Sequence, residues 1–356
     1  MPTPANPWLP ALPPFLLALA VTAASVPFVR RLSFRVGAVA RPGGRHLHPR
    51  PTGRLGGLAL LLGVVAAVAA FGRGIGSWAE ILGISVVVTV LLALDDRFDL
   101  APWTKLVFQT GSAIVVAAGF GITITSVHLP FAVLELSWLA IPVTVVWLVG
   151  MQNSINLLDG VDGLAAGVVG IVAGILLVAA IDRLGRSPGQ AGVILLSAAV
   201  IGACLGFLVF NFAPARIFMG DSGAHLLGLL TGIITIVGVA KTTAALALFV
   251  PVVALALPIG DTAFAIVRRR LAGRSPAAAD TRHLHYRLLA LGLSPRETAV
   301  AFYLVTAILG CLGLAIYGHR KILAVALVLL GVGLVLLLRR VRRRRPLAAT
   351  APERSL

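Results

Sequence analysis

Runs of apolar residues long enough to cross a bilayer recur from one end of this 356-residue chain to the other. About eleven can be read, near residues 11–29, 55–71, 79–94, 104–120, 136–152, 164–182, 190–210, 224–240, 244–267, 298–317 and 321–338. Each is close to the roughly 17–25 residues that a membrane helix needs. With 58% hydrophobic and 12% charged residues, and a mean hydropathy of +0.99, the chain carries more apolar surface than a soluble domain can hide. The pattern predicts an all-α, polytopic membrane protein. Residues 1–345 read as one polytopic domain and 346–356, with Pro346 and Pro352, as a disordered tail. The first run does not read as a cleavable signal peptide: no Lys or Arg precedes it, and Arg30, Arg31 and Arg35 follow it.

That basic cluster also predicts orientation. With eleven spans and the N-terminus outside, the cytoplasmic segments hold 24 of the 30 Lys and Arg residues, the bias of a plasma-membrane protein. The net charge of +17 is concentrated in such segments, above all in the run from Arg339 to Arg345 that abuts the last span. Topology and anionic headgroups explain that run better than nucleic acid does. Cys204 and Cys311 lie in apolar spans, far apart, and imply neither a disulfide nor a metal framework.

Carboxylates are costly in such a chain, yet six of its thirteen acidic residues fall in three short motifs, each at the end of an apolar run. The same topology puts all three on the cytoplasmic side. The first is Asp95-Asp96-Arg97-Phe98-Asp99. On a continuing helix Asp95 and Asp99 share a face while Asp96 points about 100° away. Neighbouring carboxylates need a cation, a basic partner or a shifted pKa, and ordinary pairing with Arg97 and Lys105 would account for this motif taken alone.

The second runs from Asn153 to Gly163, with Asn153, Asn156 and Asp159 spaced three apart along one flank. Their oxygens are hard ligands of the kind Mg²⁺ takes, although a polar helix-ending turn would also use Asn, Asp and Gly. The third is Phe218-Met219-Gly220-Asp221-Ser222-Gly223. Asp221 and Ser222 suit a helix N-cap, and an open helix N-terminus is a seat for phosphate. Two basic loops complete the set: Arg45-His46-Leu47-His48, and Arg268 to Arg287 with His283, His285 and Arg287. No Cys or third His stands near enough to His283 and His285 to suggest zinc.

In this order, the motifs resemble those of the polyprenyl-phosphate N-acetylhexosamine-1-phosphate transferases, over Arg41 to Leu288. The family's paired aspartates match Asp95-Asp96. Its Asn-x-x-Asn-x-x-Asp-Gly-x-Asp-Gly pattern matches Asn153 to Gly163, and its Gly-Asp-Ser-Gly matches Gly220 to Gly223. Asp261 to Leu288 resembles the loop of the GlcNAc-1-phosphate branch, with Tyr286 in place of a His. The His-His-His-Phe-Glu-like run of the phospho-MurNAc-pentapeptide branch is absent. The first loop departs from the family at Ala40, where an Asp is usual.

The resemblance implies transfer of GlcNAc-1-phosphate from UDP-GlcNAc to undecaprenyl or decaprenyl phosphate, releasing UMP, as the first membrane step of a cell-envelope polysaccharide. It implies a multi-pass enzyme of the bacterial plasma membrane that works at its cytoplasmic face with Mg²⁺, or Mn²⁺ in its place. Asp221 and Asn156 would hold the metal, and Asp95 and Asp96, with Asp221, would be catalytic. Asn153, Asp159, Asp162 and Phe218 would bind donor, with His48, His283, His285 and Arg287 at the sugar-phosphate. The alternatives are the MurNAc-pentapeptide reaction and, from another class, a secondary transporter, which the lack of inverted repeats weakens. A CDP-alcohol phosphotransferase would need an Asp-Gly-x-x-Ala-Arg run, and Asp162 to Gly167 lacks that Arg. The oligomeric state stays open, a homodimer included.

Overall fold

The computed structural model describes residues 6, 8–40, 51–73, 76–129, 132–184, 189–239, 260, 267, 270, 284–316, 324, 327, 328, 330–335 and 338. Nine of the eleven apolar runs fold as helices there. They are α1 (Leu12–Val36), α2 (Gly56–Phe71), α3 (Trp78–Phe98), α4 (Pro102–Ile114), α5 (Ala140–Leu158), α6 (Leu164–Ile181), α7 (Gln190–Asn211), α8 (Gly220–Val239) and, after a short α9 (Leu284–Ala290), α10 (Pro295–Ile316). The runs at 244–267 and 321–338 lie largely outside the described residues, as do the tail and His48 and His283. Seven of the described helices are long and apolar enough to cross a membrane: α1, α3, α5, α6, α7, α8 and α10. The chain is a multi-pass membrane protein. Helix α2 is shorter at 16 residues, and α4 carries Thr104, Lys105, Gln109, Thr110 and Ser112. At 13 residues α4 is also short of a full span, and its Lys105 and Gln109 reach the site.

Helix α8 is the hub. It packs against α2, α3, α5, α6 and α7, and 83% of its span is buried against 28% for α1. Its polar side chains Ser222, His225, Thr231 and Thr235 are buried among these neighbours, where lipid would leave them without partners. Two small sheets join helix ends. Strands β1 (Val39–Ala40) and β2 (Thr52–Gly53) pair antiparallel between α1 and α2, while β3 (Ser126–Leu129) and β4 (Ala132–Glu135) form a hairpin before α5.

The start of α2 is bound to the chain before α8. Gly53 bridges Ile217 in parallel, Phe218 N donates to Gly53 O (2.8 Å), and Gly56 N and Gly57 N donate to Phe218 O (3.0 Å) and Met219 O (2.8 Å). These carbonyls satisfy amides at the start of α2 that have no partner inside the helix. The approach is so close that a Cβ on Gly57 would overlap the backbone of Gly223 and the Ser222 hydroxyl. Gly57→Ala is therefore expected to displace the Gly220–Gly223 turn and destabilise the fold by about 1–3 kcal/mol, the usual cost of overpacking. A thermal-unfolding comparison checks it; an unchanged midpoint would contradict this packing.

Candidate active site

The three acidic motifs meet at one end of the bundle. Helix α3 stops at Phe98, where Asp99 turns left-handed (φ 48°) and its amide donates to Asp95 O at 2.8 Å. Asp95 Oδ1 accepts from Leu100 N at 2.7 Å, and Pro102 then opens α4. Asp99 is thus not on a helix face with Asp95. It is 81% exposed and pairs with Arg54 at 3.0 Å.

Asp96 has a different task. Its Oδ1 accepts from Asp221 N (2.8 Å), and its Oδ2 accepts from Ser222 N (3.2 Å) and Ser222 Oγ (2.6 Å). It caps α8 from another helix, placing a negative charge at the positive helix end. Gly220 makes this possible: its φ is +71°, and a Cβ there would strike the Asp96 carboxylate and Arg54 O. The seat for phosphate that the sequence suggested at this helix end is filled by Asp96.

Lys105 joins the first and third motifs. Its Nζ lies 2.7 Å from Asp95 Oδ2 and 2.6 Å from Asp221 Oδ2. Of these two carboxylates, Asp95 is enclosed (1% exposed) while Asp221 keeps 18% of its side chain open. Arg54 lies 3.9 Å from Asp96. Burial works against the Arg54 charge, but Asp96, Asp99 and Asp221 outweigh it and raise its pKa. The pairing that the sequence offered to Arg97 goes to Arg54 instead; Arg97 lies over the Phe98 ring at 5.2 Å.

Asp159 follows the last turn of α5. It retains some accessible surface but is densely surrounded by protein. Burial, and then the charges of Asp221, Asp96 and Asp162, push its carboxyl well above the ordinary range, with Arg54 offsetting only part. The Asp159–Gly163 turn is fastened from behind. Asn211 Oδ1 accepts from Gly163 N (3.0 Å) while Asn211 Nδ2 donates to Ile217 O (2.9 Å). Tyr303 donates to Gly163 O at 2.5 Å, and Asp162 Oδ2 accepts from Ala215 N at 2.8 Å.

The residues present fit a divalent cation. Among the described residues, Asp95, Asp96, Asp159 and Asp221 face two cations, Arg54 and Lys105, and an ammonium bridging two carboxylates marks a cation position. The Asn156 side chain makes no hydrogen bond among the described residues. Those residues contain no cage of three or more His, Cys, Asp or Glu side chains, which suits an ion shared with substrate phosphate more than one enclosed by protein.

Residues 78–239, which hold all three acidic motifs, match the family described as glycosyl transferase family 4. The chain is 39% identical over 295 residues to the "Probable undecaprenyl-phosphate N-acetylglucosaminyl 1-phosphate transferase" of Bacillus subtilis strain 168, covering 82% of this chain and 80% of that one. The chain belongs to this family. It is also 37% identical over 328 residues to the decaprenyl-phosphate N-acetylglucosaminephosphotransferase of Mycolicibacterium smegmatis, covering 83% and 79% of the two chains. With the phospho-N-acetylmuramoyl-pentapeptide-transferase of Geobacillus kaustophilus the identity is 32% over 324 residues, covering 85% and 95%.

Of the site residues the family motifs suggested, the fold brings Asp95, Asp96 and Asp221 together at one end, with Asp159 in electrostatic reach. Asn153 turns its amide nitrogen inward, to Gln109 Oε1 at 2.7 Å and Val149 O at 2.8 Å, leaving Oδ1 as what it can offer a ligand. Phe218 is half-buried, its main chain bonded to Gly53 and Gly56 at the start of α2. Arg287 is exposed on α9, and the side chain of His285 lies outside the described residues. Sequence reasoning missed Arg54, Gln109, His225 and Asn211, and read Lys105 only as a neutraliser. A signal was present: Lys105 and Gln109, the most polar residues of their run, are four apart, as are Asp221 and His225.

Proposed function

We propose that this protein transfers GlcNAc-1-phosphate from UDP-GlcNAc to a polyprenyl phosphate at the cytoplasmic face of the bacterial plasma membrane. A phosphate oxygen of the lipid attacks the β-phosphorus of the donor. The bond from that phosphorus to the bridging oxygen breaks, and UMP leaves with the electron pair. The observation that carries the reading is the meeting of Asp95, Lys105 and Asp221 at one end of a membrane bundle. The greater similarity to the GlcNAc-named relatives (39% and 37%) than to the MurNAc-named one (32%) supports the donor.

The chain's own groups divide the work. Asp221, whose carboxylate stays partly open, and Asn156 would hold Mg²⁺. When bound, the metal neutralises the diphosphate and orients it for in-line displacement. Lys105 supplies a positive charge next to the same carboxylates, suited to phosphate. Asp95 stays enclosed and restrains Lys105. Asp159 and Phe218 stand on the donor side, and Arg287 offers a bidentate fork for phosphate. No general base is required, because a phosphate monoester with a second pKa of about 6 is already mostly dianionic at pH 7.

The test is direct. Purified protein with UDP-GlcNAc, polyprenyl phosphate and Mg²⁺ should release UMP, and with UDP-MurNAc-pentapeptide in place of UDP-GlcNAc it should not. Preference for the pentapeptide donor would overturn the donor assignment while leaving the chemistry standing. EDTA should abolish activity, and Mg²⁺ or Mn²⁺, but not Ca²⁺, should restore it. Full turnover in metal-free protein would end the metal proposal.

A further inference from the structure

One helical turn (about 5.4 Å) deeper than the carboxylates lies a polar layer whose internal hydrogen bonds have no part in the transfer chemistry above. It joins α4, α5 and α8 through Gln109, Asn153 and His225. Asn153 Nδ2 donates to Val149 O (2.8 Å) and to Gln109 Oε1 (2.7 Å). Gln109 Nε2 lies 2.5 Å from His225 Nε2, and His225 Nδ1 lies 2.7 Å from Asp221 O. Gln109 is 3% exposed and His225 fully buried, among apolar helices.

The polarity of this chain is fixed from both ends, since a backbone carbonyl can only accept. Val149 O requires the nitrogen of the Asn153 amide, so Gln109 must present its oxygen to Asn153 and its nitrogen to His225. Asp221 O requires a proton on His225 Nδ1, so a neutral ring must accept at Nε2. The two derivations agree, and His225 is a neutral imidazole protonated at Nδ1. Asp221 is thereby held on both sides of its residue: its carbonyl by His225 and its amide by Asp96.

We propose that Asn153, Gln109 and His225 form a buried strut of positioning residues that fixes the first turn of α8, and with it the direction of the Asp221 carboxylate. The strut also couples the Asn153–Gly163 motif to the Gly220–Gly223 motif through the Asn153 amide nitrogen, which leaves the Asn153 Oδ1 to the donor. This rests on the transfer reaction proposed above.

The experiment compares wild type with His225→Phe and Gln109→Met, which keep volume and remove the bonds. It also includes His225→Asn, whose amide nitrogen takes the place of Nδ1. A misdirected carboxylate predicts that kcat falls about tenfold or more in the first two, with the donor KM within about threefold of wild type. The Mg²⁺ concentration giving half-maximal thermal stabilisation should rise by a similar factor. His225→Asn should recover most of both. If His225→Phe does not fold, Gln109→Met and His225→Asn decide the matter. The proposal is overturned if the folded variants keep wild-type kcat and Mg²⁺ half-point. It is equally overturned if His225→Asn is no better than His225→Phe, since that marks a structural role only. Absence of UMP from the wild type would instead sink the transfer reaction and leave the Mg²⁺ half-point to test the strut.

Discussion

Asp221→Asn is expected to lower turnover by about two to three orders of magnitude, the scale of losing a principal charge stabiliser, while the fold survives. Asp221 serves the fold through its main chain, with N donating to Asp96 and O accepting from His225. Among the described residues its side chain pairs with Lys105, and of the two carboxylates on that lysine it is the more open. Asparagine keeps the shape and the main-chain bonds and removes only the charge. UMP release at saturating donor should therefore collapse while the thermal midpoint stays near that of wild type. Near-normal turnover with an intact fold would show that the metal and the transferred phosphate are held elsewhere.

Asp96→Asn should be as severe in turnover but should also lower stability. The carboxylate accepts three hydrogen bonds, two at one oxygen and one at the other, and is only 3% exposed. An asparagine has one accepting oxygen, so its NH₂ must face either the Asp221 amide or the Ser222 donors. Breaking a buried charged contact of this kind costs about 3–5 kcal/mol, and Arg54 loses one of its partners. The expected result is a loss of about a hundredfold or more in turnover together with a clear drop in the thermal midpoint. Ser222→Ala removes one of the three bonds and should be much milder. An Asp96→Asn variant that is inactive but as stable as wild type would give Asp96 a direct part in chemistry in place of its role as a cap.

The two variants separate roles that the sequence could not. Both aspartates sit in family motifs at the ends of apolar runs, and both were natural candidates for the reacting centre. Which one keeps an open carboxylate depends on where α8 begins relative to the end of α3. That relation is a hydrogen-bonded contact across more than a hundred residues of chain.

What the sequence determined by itself is what depends on local pattern. Apolar runs of membrane length specify helices, because the backbone must satisfy its own polar groups in lipid, and nine of the eleven runs are helical among the described residues. Motif spacing carried the family, and the Asn, Asp and Gly residues after Asn153 announced a turn, in which Gly163 takes a positive φ. Tertiary structure alone decided the partners. Lys105 reaches Asp221 across 116 residues, Gln109 meets His225 across another 116, and Arg54 takes the pairing that the sequence offered to Arg97. Periodicity reports which face of a helix is apolar, but not which helix that face will meet. The few polar side chains in such a bundle are paired by the packing of helices distant in sequence.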